Sequence, residues 1–374
     1  FFNGRLNGAF DYYRKNTKDL LVERALPYSS GFATVMINEG SLLNKGFEFS
    51  LNADIIRSNG WKWNVGGNIG FNKTTIENLG LEVSDIGSLK GVRGYLGKTI
   101  GDHFGPANVF IEGEAPGLFF GYKTQGIIQE EDVVDGKVGY ISSDGSTKYY
   151  TSSVGNDMAA GNIKCVDVNE DGIVDPNDMV VIGDPNPDFT YGFQTRLEWK
   201  NISLSASFTG VYGNDILNIN KVDYTSYTGS KRYQNLSNDM RLANRFTTID
   251  PVTGLNIYYG EYANPERLQE INSNASIWHP LMNNTITTDW LVEDGSFLRL
   301  GVLTLGYTLP KYWTQKFGVK SLRVYATGNN LFCLTGYSGQ DPEVNTSSSN
   351  MTPGYDRSAY PKSRSYIFGL NVTF

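Results

Sequence analysis

The sequence is poor in the residues on which most site chemistry depends. Of its 374 residues, two are Cys and two are His. Cys165 and Cys333 cannot build a disulfide framework or a Cys-rich zinc site, and His103 and His279 cannot build a His-rich metal site. Charge is scarce at 19% of residues, with 32 basic against 39 acidic side chains and a net charge of −7. No basic surplus exists to neutralise phosphates, which excludes a nucleic-acid partner. No run approaches the ~18 consecutive apolar residues of a membrane helix. The sequence has no G-x-S-x-G, no P-loop and no paired-Cys metal motif, and the glycines at Gly91 and Gly94 lack the strand–helix context of a nucleotide site. The expectation is a protein that is not an enzyme. No secretory leader opens the chain either, since Phe1-Phe2-Asn3-Gly4 begins inside a pattern. The chain is therefore expected to be the C-terminal piece of something longer.

What the chain has instead is 42 Gly, 35 Asn, and 23 Tyr against 20 Phe. Gly and Asn rank low for helix and Tyr is enriched in strands, so a helical protein is disfavoured. Several segments alternate at period two, as a strand with two unlike faces does. In 189–199, Phe189, Tyr191, Phe193, Leu197 and Trp199 oppose Thr190, Gln194, Arg196 and Glu198. Segments 47–55, 61–71, 202–212 and 366–374 repeat the pattern, with weaker versions at 5–13, 118–128, 297–309 and 319–331. Such runs exceed the ~5–6 residues of ordinary globular strands and match the ~9–11 of a tilted membrane-crossing strand. A soluble β-sandwich would turn the same apolar residues inward. Its hairpin loops are usually ~2–5 residues, whereas long polar stretches fill 14–46, 72–117, 129–188, 213–296 and 332–365.

Short turns at 57–60, with Asn-Gly chemistry, and at 200–201 must lie on one side of a barrel. Nine strands cannot place them so, and Gly161 to Val168 is the best tenth strand. The fold class expected is all-β: part of a large antiparallel transmembrane β-barrel, about ten strands in this chain, with long extracellular loops.

Several stretches carry a family resemblance: NGRLNGAFDYYRKNTKDLL (3–21), NKGFEFSLN (44–52), GLFFGYKTQGIIQEEDV (117–133), VDVNEDGIVDPNDMVVIGDPNPDFTYGF (166–193), VEDGSFLRLGVLTLGYTLP (292–310), SLRVYATGNNLF (321–332), GYSGQDPEV (336–344) and YPKSRSYIFGLNVTF (360–374). In this order the chain resembles the C-terminal barrel half of the SusC/RagA family of TonB-linked outer-membrane transporters. The terminal Phe374 also looks like an outer-membrane assembly signal. The resemblance implies one domain, 1–374, forming the C-terminal portion of a plugged barrel whose plug is not in this chain. It implies import of oligosaccharides or peptides across the outer membrane, with a SusD-like surface lipoprotein as lid and energy from the TonB complex acting through the missing N-terminal part. A TonB-dependent siderophore or vitamin receptor and a non-transporting surface carbohydrate-binding β protein are the alternatives.

The strongest local motif is Asp167-x-Asn169-x-Asp171-Gly172-Ile173-x-Asp175-x-x-Asp178, a twelve-residue calcium-loop spacing. Asp167, Asn169, Asp171, Asp175 and Asp178 supply side-chain oxygens and Ile173 a carbonyl. The cofactor expected is a structural Ca2+, on the extracellular side. Asp rather than Glu at the twelfth position predicts weaker binding, Pro176 and a flanking strand exclude a helix–loop–helix, and an Asx-turn loop without metal is the alternative. Glu293-Asp294-Gly295 reads as a turn, and Asp341-Pro342-Glu343 as a turn or a lid contact. Residues 236–246 are a candidate short helix. The aromatics Tyr224, Tyr227, Tyr233, Tyr258, Tyr259, Tyr262, Trp278 and Trp290 of loop 213–296 either pack together or offer stacking faces. Gln194, Arg196 and Glu198 are expected in the lumen.

Overall fold

Alternating sequence produces one large antiparallel sheet. The computed structural model describes residues 1–374 except 26–30, 32–33, 98–104, 155–157, 227–234, 282–285, 348 and 350, so His103, Tyr227 and Tyr233 lie outside the described residues. Eight strands follow one another in chain order across the sheet. They are β1 (Leu6–Ala25), β2 (Thr34–Ser58), β3 (Trp61–Asn78), β4 (Phe189–Trp199), β5 (Ile202–Tyr212), β6 (Phe297–Thr308), β7 (Ser321–Thr335) and β8 (Ser365–Thr373). Each strand pairs with the next, and β1 and β8 are each paired on one side only. Such a meander is a stretch of barrel wall.

Short connections join β2 to β3, β4 to β5 and β6 to β7, all at one end. Asn59 and Gly60 both take positive φ (52° and 78°), the backbone of a two-residue hairpin turn. The turns are tied side by side by Lys200 N–H donating to the Gly60 carbonyl (2.9 Å) and Thr308 N–H donating to the Asn201 carbonyl (2.8 Å). The long connections leave the other end.

Burial is inverted relative to a soluble sandwich. Most fully buried large side chains, among them Phe119, Phe120, Tyr140, Tyr150, Ile128 and Leu217, come from the long connections, and Ile76 lies at the end of β3 where it enters one. The sheet's own apolar face is open: Phe10 is 67% exposed, Leu370 67% and Phe368 82%. A soluble monomer rarely exposes so continuous an apolar surface. The opposite face is polar, and one register row runs Asp54, Asn64, Arg196, Ser205, Thr304 and Thr327 across β2 to β7.

Two of the ten expected strands do not join this sheet. Residues 118–128 break into Leu118–Gly121 and Thr124–Ile127, and 161–168 shrinks to Ile163–Cys165. Leu118, Phe119 and Phe120 are apolar in succession and buried on both faces, which is a core strand rather than a two-faced one. Ile163–Cys165, at ~3.3 Å per residue, is far too short to cross a membrane, and it pairs with Thr124–Ile127 instead. Losing both keeps the strand count even and the short turns together. It also removes the long connection at the short-turn end that ten strands require.

Conversely, β1 to β3 run 20, 25 and 18 residues, well into the expected loops 14–46 and 72–117. Their outer parts need only the backbone ladder. Period-two hydrophobicity is demanded only where one face is apolar.

The three long connections pack together as a second layer. Asp215–Asn218 pairs with Val292–Asp294, and in parallel with Tyr355–Asp356. Leu118–Gly121 pairs with Val180–Gly183. A core of Phe119, Leu217, Ile219, Leu291 and Tyr355 joins residues from all three connections.

Candidate functional site

Two aromatic rows stand on the apolar face. Near the short turns, Trp61 stacks on Trp199 with ring centroids 5.3 Å apart, and Tyr307 shares their row through Ile202. Nearer the long connections, Phe47 and Phe71 stack at 4.6 Å, Phe71 meets Phe189 at 5.4 Å, and Phe189 stacks on Tyr212 at 5.0 Å. The rows are ten positions apart on both β3 (Trp61, Phe71) and β4 (Phe189, Trp199). Ten residues at ~3.3 Å, tilted by ~40°, span about 25 Å, the height of the apolar band between the aromatic girdles of an outer-membrane barrel. Each row was visible in the sequence as this ten-residue spacing, once the partner strands were known.

On the polar face, Arg196 and Glu198 form an ion pair at 2.6 Å, and Gln194 donates to the Asn52 side chain at 3.5 Å. The three residues expected in the lumen share this face with Asn52, Asn64 and Lys62. Nearer the long connections a small hollow is lined by Tyr13, Glu48, Asn72, Thr74 and Asn186, with Tyr13 O–H donating to Asn72 Oδ1 at 2.8 Å.

The calcium-spaced loop lies in the second layer. Its ends are buried, with Asp167 2% and Asp178 0% exposed. Asp178 Oδ1 accepts the N–H groups of Val168 (2.8 Å) and Asn169 (3.2 Å), and Oδ2 accepts that of Asp175 (2.8 Å). Burial pushes the Asp178 carboxyl above the ordinary range, these N–H groups pull it down, and the Asp167 charge adds to the rise. Asp167 Oδ2 accepts the Gly172 N–H across the loop (2.8 Å), and Tyr140 O–H donates to the Asp167 carbonyl (3.0 Å). Burial pushes the Tyr140 phenol up to about 12. Asn169 and Asp171 form Asx-turns, accepting the N–H groups of Asp171 and Ile173 at 2.9 Å each. Asp175 caps the turn Pro176–Asp178. The Ile173 side chain points outward while Val174 is buried. The backbone thus brings all six residues into one loop. Among the described residues, no three Asp, Glu, His or Cys side chains already stand together as a metal cluster.

The aromatics of loop 213–296 divide. Trp278 and Trp290 meet edge to face at 4.5 Å, with Trp278 3% exposed, while Tyr259 and Tyr262 are open to solvent. The candidate helix 236–246 is only the turn Asn238–Met240, capped by Ser237, because Met240 and Phe246 are drawn into the core where a continuous helix would not place both. The helix of this region is Pro265–Asn272, capped by Asn264 with Pro265 at its first position. The signal Asn-Pro-Glu marks such a start.

Sequence reasoning missed two charge hubs. Glu293, read as part of a turn, accepts from Ser338 N–H (2.8 Å), Ser338 O–H (2.8 Å) and Asn218 Nδ2 (3.1 Å), and pairs with Lys221 Nζ at 3.4 Å. Burial raises the Glu293 carboxyl, but these donors outweigh it and hold it below the usual range. Burial pushes the Lys221 ammonium down despite that pair, and Lys221 also sits 3.9 Å from the Trp290 ring centre. Asp341 and Glu343, read as a turn or lid contact, both face Arg299, at 2.7 and 2.8 Å.

Residues 1–122 match the family of β-barrels described as TonB dependent receptor-like. The whole chain is 30% identical to TonB-dependent receptor P3 of Formosa agariphila and 27% identical to TonB-dependent receptor SusC of Bacteroides thetaiotaomicron, covering 33% and 31% of those proteins. It spans about a third of the length of these curated relatives. The fold is also that of a chain in the RagAB peptide transporter, with a TM-score of 0.68 at 24% identity over 100% of this chain and 34% of that one. These are receptor and transporter relatives, in keeping with a sequence that carries no catalytic constellation. Over its whole length the chain is similar to TonB-dependent receptors, SusC among them, and it carries a run of barrel-type wall and the layer built on its long connections.

Proposed function

We propose that this chain forms part of an outer-membrane importer of the SusC type, which takes up oligosaccharides or peptides with a SusD-like lipoprotein lid and energy from TonB. The observation that carries this reading is the apolar face bounded by two aromatic rows about 25 Å apart, with the core displaced into the long connections. The rows sit at the two lipid–water boundaries and the apolar residues between them face acyl chains. The polar row through Arg196 and Thr304 then lines a wet passage, and strands outside this chain continue the wall from β1 and β8, whose free edges lipid cannot satisfy. A lid over the long-connection end would hold substrate, and movement of a plug would open the path.

Uptake by cells with and without the complete receptor tests this. Labelled peptide or oligosaccharide pools should enter only cells that carry it, and a surface lipoprotein should co-purify from their outer membranes. Uptake of an iron chelate or vitamin without any such lipoprotein would replace this reading with the siderophore-receptor one. A receptor that stays soluble without detergent would end both.

A further inference from the structure

One atom of the calcium-spaced loop is left unpaired among the described residues. Asp167 is 2% exposed, its Oδ2 accepts the Gly172 N–H, and its Oδ1 is buried with no hydrogen-bond partner among the described residues. Burying a carboxylate oxygen without a donor is costly, and more so beside like charge. Glu170, Asp171, Asp175 and Asp178 follow within twelve residues, and the cation bonded to the group is Lys148, held by Glu170. The Gly172 N–H bond draws the Asp167 carboxylate across the loop to its turn. Gly172 itself takes φ of +87°, a turn for which glycine is suited. Val174 anchors the middle of the loop in the core and pairs in parallel with Ser152.

We propose that this loop binds one calcium-class cation, with Asp167 Oδ1 as its buried ligand. Asn169, Asp171 and Asp175 supply oxygens from the exposed side, the Ile173 carbonyl adds another, and Asp178 closes the loop. Asp171 and Asn169 exchange their Asx-turn hydrogen bonds for the cation, which their exposed side chains can do by rotation. Six oxygen-bearing residues of mixed type on one loop favour calcium over magnesium, which demands strict octahedral geometry. The role is structural: the ion ties Asp167, beside Tyr140, to the turn at Asp178. This inference is independent of the proposed substrate and of transport.

The test uses the complete receptor, purified in detergent and freed of metal by a chelator. Calcium titrated by calorimetry should bind saturably at one ion per chain and raise the unfolding temperature, and magnesium at the same concentration should not compete. Terbium in the same site should luminesce through Tyr140, whose hydroxyl bonds the Asp167 carbonyl, and Tyr140→Phe should dim that emission with calcium affinity unchanged. Asp167→Asn retains an acceptor for the Gly172 N–H but removes the charge, and should weaken calcium at least ~tenfold, as lost ligand charge does. If that variant does not fold, the exposed Asp171→Asn carries the same expectation. No saturable calcium binding by the wild type, or unchanged affinity in whichever of the two variants folds, overturns the site.

Discussion

At the scale of single residues, the second layer depends on a few buried charges that hold one another. Glu293, just before β6, reaches to Ser338 in the connection after β7 and to Lys221 and Asn218 at the start of its own connection. Glu293→Ala leaves Lys221 half-buried without its partner and Ser338 without its acceptor. The expected loss is about 2–4 kcal/mol, read as a lower urea midpoint and faster proteolysis between Asp215 and Tyr355. A second pair gives a pH signature. Hydrogen bonds from Arg267 hold the Asp250 carboxyl below its usual range. A carboxylate lowered in the folded state stabilises fully above its unfolded value and loses that contribution as pH falls through the folded one. The stability difference between wild type and Arg267→Met should therefore be constant at neutral pH and shrink below about pH 4. A difference that grows on acidification would contradict the pairing.

At the scale of the strand, orientation is the claim most open to experiment. Phe193 and Gln194 are neighbours on β4 but stand on opposite faces, midway between the aromatic rows. Phe193→Arg should cost about 2–4 kcal/mol in lipid vesicles, as charge near the midplane of a barrel does. Gln194→Arg, on the polar face, should fold nearly as the wild type. Equal penalties would mean that the two faces are not differently solvated. Strand identity was legible in the sequence wherever one face meets an apolar medium, hence the clean reading of β4, β5 and β8. It was illegible where that contrast stops. The outer parts of β1 and β2 obey only backbone pairing, so no alternation announces them. Leu118–Gly121 misled for the opposite reason, because burial in a small core produces the same short apolar runs as lipid exposure, and 161–168 was then drawn in only to restore the parity that counting 118–128 had broken. The loop 167–178 was readable as one unit, since its Asx-turns and cap are local. The hubs at Glu293 and Arg299 were not, because their partners are distant in sequence and only the fold brings them near.

At the scale of the whole molecule, wall and layer are stabilised by different solvents. Apolar side chains of the wall face outward and need an apolar surrounding, whereas those of the layer bury one another across three connections. Detergent or lipid is therefore expected to be required for the wall alone. On transfer to mild denaturant in micelles, tyrosine signals from Tyr140 and Tyr150 should be lost before the strand circular dichroism of the sheet. A single coincident transition would show instead that the two parts unfold as one.

The inverted packing has a consequence for variation among relatives. Since the cap satisfies its own greasy contacts and meets the staves chiefly through their ends, its loops are free to be exchanged or resized without reshaping the palisade beneath. One and the same wall can then carry layers of many different shapes.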